Sequence, residues 1–103
     1  MTLIVRQEAA EDARLMTAQL RATRPRIANQ FAAQLTRTFR LLELFPHLGS
    51  EFPPSLAADP NLRFMTMQKF HRVVIVFLPL PDGVDVFRVL EGNRDLAALL
   101  AEL

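Results

Sequence analysis

Val73-Val74-Ile75-Val76-Phe77 is the feature that most limits what this chain can become. Four of these five residues are β-branched and favour an extended backbone, and because side chains alternate across a strand, a strand built from them is apolar on both faces. The segment therefore predicts a central strand in a sheet. The whole apolar stretch from Val73 to Pro81 is far shorter than the roughly 20 residues that cross a bilayer as a helix. With 103 residues the chain has the length of one domain, and residues 1–103 are read as a single unit with one core.

Around that run the pattern assigns the remaining elements. Asp82-Gly83 after Pro79-Leu80-Pro81 supplies turn chemistry between residues 71–78 and 84–90, which predicts an antiparallel hairpin. Residues 62–67 precede a Gln68-Lys69 turn and extend the hairpin to a three-stranded meander. Leu3-Ile4-Val5, within residues 2–6, is a fourth strand that needs a partner from later in the chain. From Glu8 to about Ala22 the period becomes helical, with Ala9, Ala13, Met16 and Leu20 on one stripe. Pro25 suits the first position of a second helix, whose stripe is Ile27, Phe31, Leu35, Phe39, Leu42 and Phe45, and the short linker makes the two an αα-hairpin. Pro46 and Gly49 end it, and Pro53, Pro54 and Pro60 mark a surface connection. Asn93 is placed to cap a short terminal helix carrying Leu96, Leu99, Leu100 and Leu103.

The fold class is thus α+β in the order β-α-α-β-β-β-α, an antiparallel sheet with the helical hairpin across one face. The expected core contains Leu3, Val5, Ile27, Phe31, Leu35, Leu42, Val74, Val76 and Phe87. Alternation puts Val84, Val86, Arg88 and Leu90 on one face of the last strand, so the Arg88 guanidinium needs either a carboxylate such as Glu91 or Asp95 or a reserved surface. The helices cover one face of the sheet only, which predicts that a partner covers the other.

Composition narrows the chemistry. The chain has no cysteine, which removes disulfides, thiolate metal sites and a cysteine nucleophile. Three scattered glycines make no phosphate-cradling loop, and no His-x-x-x-His or Glu-x-x-His spacing suggests a metal, so no metal and no cofactor is expected. The formal net charge is +1. Eleven of the twelve basic residues are arginines, interspersed with carboxylates along the chain, and direct DNA binding by this chain is not expected. The N-terminus shows neither a basic n-region nor a long apolar h-region, so no signal peptide is read and a cytoplasmic location is expected.

Five segments carry a resemblance. They are Glu8-Ala9-Ala10-Glu11-Asp12-Ala13 opening the first helix, Phe45-Pro46-His47-Leu48-Gly49 closing the second, Leu62-Arg63 opening a strand, His71 to Phe77, and Asp85-Val86-Phe87-Arg88-Val89-Leu90-Glu91-Gly92-Asn93-Arg94-Asp95-Leu96. In this order and spacing the chain resembles the RelE/ParE toxin superfamily of type II toxin–antitoxin systems over nearly its whole length. The resemblance implies one of two activities, ribosome-dependent cleavage of messenger RNA or poisoning of DNA gyrase by protein binding. It also implies neutralisation by a ParD-like antitoxin, which would supply any DNA contacts of the complex.

RNA cleavage by 2′-OH attack needs a base, cations and an acid. The chain has no tyrosine, and its imidazoles are His47 and His71 alone. The ParE-like, non-enzymatic branch is therefore the leading expectation, with the RelE-type endoribonuclease as the alternative and no catalytic residue assigned. Arg63, Arg88, Glu91 and Arg94 are the expected target-binding residues. Glu91 stands where the relatives often carry His, which leaves a third possibility, a non-toxic antitoxin-binding relative.

Overall fold

The computed structural model describes residues 1–56, 59–92 and 98. Its elements are β1 (Thr2–Val5), α1 (Gln7–Thr23), α2 (Pro25–Leu44), β2 (Ser50–Glu51), β3 (Arg63–Met67), β4 (Phe70–Leu80) and β5 (Gly83–Glu91). The fold is α+β, and the strands form one sheet in the order β1-β5-β4-β3-β2. The helical hairpin and the β3-β4-β5 meander lie where the sequence pattern puts them. The terminal helix expected from Asn93 falls outside the described residues.

Two features of the sheet depart from expectation. β1 pairs parallel with β5, Thr2 opposite Gly83 and Val5 opposite Val86, so the sheet is mixed rather than antiparallel. A parallel neighbour needs a long crossover, which α1, α2 and the rest of the meander together provide. β2, two exposed residues antiparallel to β3, adds a fifth strand at the far edge.

α2 forms as its sequence dictates, with Pro25 in its first turn and Ala28, Phe31, Leu35, Thr38 and Leu42 buried along one stripe. That stripe packs on Ile75 and Phe77 of β4 and Val84, Val86 and Val89 of β5. α1 contributes less, burying Ala9 fully and laying Ala13, Met16 and Leu20 against the same core.

The opposite face is not bare. Val74, Val76 and Leu90 are buried there with Leu62, and Phe52, Phe64, Leu78 and Phe87 pack against them. Phe52 and Leu62 stand at the two ends of the Pro-rich connection, and the Phe52 and Phe64 rings lie 4.7 Å apart. The expectation that this face depends on an outside partner is therefore corrected, because the connection returns its own apolar ends to the sheet.

Among the expected core residues, Phe31, Leu35, Leu42, Val74 and Val76 are buried, while Leu3, Ile27 and Phe87 are half-buried. Val5 is 37% exposed. β1 is an edge strand, so Val5 has β5 on one side and no strand on the other.

A bulge in β5 changes which residues share a face. Phe77 pairs with Val86 and Val76 with Arg88, which leaves Phe87 as the extra residue. Val84, Val86 and Val89 consequently face the helices, whereas Phe87 and Leu90 face the other way. The strict alternation that put Val84, Val86, Arg88 and Leu90 together does not survive the bulge.

The β3–β4 turn holds Lys69 at φ 69°, a left-handed conformation that costs a side-chain-bearing residue about 1–2 kcal/mol. Lys69→Gly is expected to raise stability by about 0.5–1 kcal/mol once the greater unfolded-state entropy of glycine is set against that strain. The midpoint of urea unfolding measures it, and an unchanged or lower midpoint would show that the turn is not strained.

Candidate functional site

The expected site residues are best understood through the chain segments they join. Arg63, the first residue of β3, turns its guanidinium onto the backbone that leaves α2. It donates to the carbonyls of His47 (2.9 Å), Leu48 (3.2 Å) and Gly49 (3.0 Å), and to the Glu51 carboxylate at 3.4 Å. Its side chain is only 16% exposed. These carbonyls lie past the end of the helix with no strand to pair them, so a five-donor guanidinium is well matched to them. Gly49 completes the turn at φ 82°, with the Phe64 carbonyl so close that a Cβ would sit 2.3 Å from its oxygen.

Arg88 is held as firmly; Asp95, one of the carboxylates expected for it, lies outside the described residues, and the bonds described here run to a third carboxylate. Its Nε and Nη2 donate to the two oxygens of Asp12 on α1 at 2.7 and 2.9 Å. The Val89 N–H donates to the same carboxylate at 3.1 Å. β1 pairs with β5 only as far as Val86, so beyond that point the edge of β5 has no β1 residue beside it. Asp12 takes the place of a strand there. With side chains 20% and 15% exposed, the Arg88–Asp12 pair is largely sheltered from water and bidentate.

A second pair lies near the bulge, where Arg6 donates to Asp85 at 3.1 and 3.0 Å and its guanidinium carbon lies 3.6 Å from the centre of the Phe87 ring. The hydrogen bond to Asp85 holds the Arg6 guanidinium above its ordinary pKa, against the opposing effect of desolvation. Arg6 therefore stays charged over the ring face, the arrangement that cation–π attraction favours.

Glu91 is exposed at the end of β5. It borders two concavities at that end of α1, one of about 130 Å³ beside Asp12 and Arg88 and one of about 410 Å³ whose wall includes Phe31, Phe70 and Arg72. Arg94 lies outside the described residues. His47 follows α2 beside the Arg63 end of β3, whereas His71 opens β4 at the Met67 end, so the two imidazoles stand at opposite ends of one strand. Among the described residues no group of three or more His, Asp or Glu is placed to hold a metal ion, and no helix is long and apolar enough to cross a membrane.

Asp12 is the residue that sequence reasoning missed. It sits 76 positions from Arg88, and its only local signal is a carboxylate in the first turns of a helix, which the helix dipole explains equally well. No protein-family model matches the chain, and no curated protein matches it.

Proposed function

We propose that the chain is the toxin of a type II toxin–antitoxin pair with the finer topology of the RelE/ParE superfamily, and that it acts as ParE-like proteins do, by binding DNA gyrase. In this reading it is cytoplasmic, performs no catalysis itself and is neutralised by a ParD-like antitoxin whose own fold reads promoter DNA. One observation carries the proposal. Four of the five resembling segments meet in two pairs: Glu8–Ala13 meets the last strand through Asp12 and Arg88, and Phe45–Gly49 meets Leu62-Arg63 through the Arg63 guanidinium. Residues that resemble a family because they tie its fold together should touch one another, and these do.

The same observation moves Arg63 and Arg88 from target contact to fold maintenance, leaving Glu91 and Arg94 as the proposed target-binding residues. It also lowers the case for a nuclease, since both guanidiniums already have partners and the imidazoles stand apart. Induced expression of the chain should arrest growth with stabilised DNA breaks and intact bulk messenger RNA, and co-expression of the small adjacent reading frame should reverse it. Transcript cleavage within minutes with gyrase unaffected would give the RelE-type reading instead. Normal growth would give the non-toxic relative.

A further inference from the structure

We propose that the end of the molecule formed by the α1–α2 junction and the β3–β4 turn grips the phosphate backbone of duplex DNA without reading its sequence. The fold pairs off many of the charges that are interspersed in the sequence and leaves a set of cations unpaired among the described residues. Glu11, Asp12, Glu43, Glu51 and Asp85 each pair with an arginine, respectively Arg14, Arg88, Arg40, Arg63 and Arg6. Arg24, Arg26, Arg37, Lys69 and Arg72 are all exposed and make no ion pair or side-chain hydrogen bond among the described residues. The net charge of +1 conceals this division.

Four of these cations, Arg26, Arg37, Lys69 and Arg72, are grouped. Arg26, Gln30 and Arg37 follow one outer face of α2, and Gln30 and Arg37 share a groove of about 200 Å³ with Lys69 and Phe70. Phe70 meets Phe31 edge to face at 5.4 Å and divides that groove from the 410 Å³ concavity, which Arg72 lines with Thr23 and whose wall carries, among the described residues, one carboxylate, Glu91. From Arg26 to Arg37 the helix rises about 16 Å, the axial length of about five base pairs of duplex.

Two of the cations occupy positions that the fold alone would not choose. Arg26 stands in the first turn of α2, where the helix dipole disfavours a cation, and Lys69 is in the left-handed backbone region. A polyanion offsets the dipole penalty at Arg26, and phosphates also suit the N-terminal amides of α2. An acidic protein partner fits less well. Protein interfaces centre on apolar anchors, and the large apolar residues exposed on α2, Leu41 and Leu44, lie past Arg37 toward its other end. The cation placement is independent of the toxin reading, while the choice of DNA over RNA rests on gyrase being the target.

Fluorescence anisotropy of the full chain with a labelled duplex of about 20 base pairs, titrated between about 50 and 200 mM salt, tests this. Neutralising three or four phosphates predicts a log–log salt slope near −3. The double variant Arg37→Gln/Lys69→Gln should bind at least about tenfold more weakly with a slope shallower by about 2. Arg14→Gln/Arg40→Gln changes net charge equally but removes paired arginines, and should lose less than about twofold. Equal losses in the two variants, no binding by the parent chain, or tighter binding to RNA or polyglutamate than to duplex DNA would each overturn the proposal. Growth inhibition is scored separately, so DNA binding without toxicity sinks only the toxin reading, and toxicity without DNA binding sinks only this one.

Discussion

Gly83→Ala is expected to detach β1 from the sheet and to destabilise the protein by about 3–5 kcal/mol. A Cβ at Gly83 would lie 1.8 Å from the Thr2 carbonyl oxygen and 2.8 Å from the Thr2 nitrogen, and both are backbone atoms that no rotamer change can move. The strand must shift bodily. Doing so forfeits the Thr2 N–H bond to the Asp82 carbonyl (2.8 Å), the Arg6 N–H bond to the Val86 carbonyl (3.0 Å) and the packing of Leu3 on the core. Gly92→Ala is the matched control, because a Cβ there would come no closer than 3.2 Å to its neighbours. Guanidinium unfolding with amide exchange in residues 2–5 separates the two. A Gly83→Ala variant as stable as the parent would refute the parallel pairing of β1 with β5.

The second large effect is expected at Asp12. Asp12→Ala leaves the sheltered Arg88 guanidinium without its bidentate partner and the Val89 N–H without an acceptor, a combined cost of about 2–4 kcal/mol. Arg88→Ala should cost less, about 1–3 kcal/mol, because Asp12 still accepts from Val89 in its absence. The double variant should then resemble Asp12→Ala alone rather than the sum. Thermal melts of the three variants decide this. In growth assays Arg88→Ala should reduce toxicity only in proportion to the folded protein lost. Abolished toxicity in a fully stable Arg88→Ala variant would return Arg88 to the target surface.

Most of the fold was legible in the sequence because its signals are local. A Phe-rich stripe at helical spacing behind Pro25, a β-branched run and an Asp-Gly turn each specify an element without reference to anything distant. What escaped reading depends on residues far apart in the chain. Parallel pairing of Leu3 with Val84 leaves no mark on either segment. The extra residue at Phe87 is a property of the β4–β5 register, and one such residue sufficed to reverse the face assigned to Leu90. For the site, arginine content marked Arg63 and Arg88 as notable, yet their partners are backbone carbonyls and a carboxylate from other elements.

The pairing of β1 with β5 also governs when the sheet can be completed. Thr2 meets Asp82 across 80 residues of chain, so β1 closes a long loop and gains little until β5 is in place. During synthesis α1 and α2 can form while β1 waits without a neighbour, since its partner has yet to leave the ribosome. Completion of the sheet is thereby deferred until β5 has been made, an interval in which the unpaired backbone and the apolar side chains of β1 are open to any other chain made nearby.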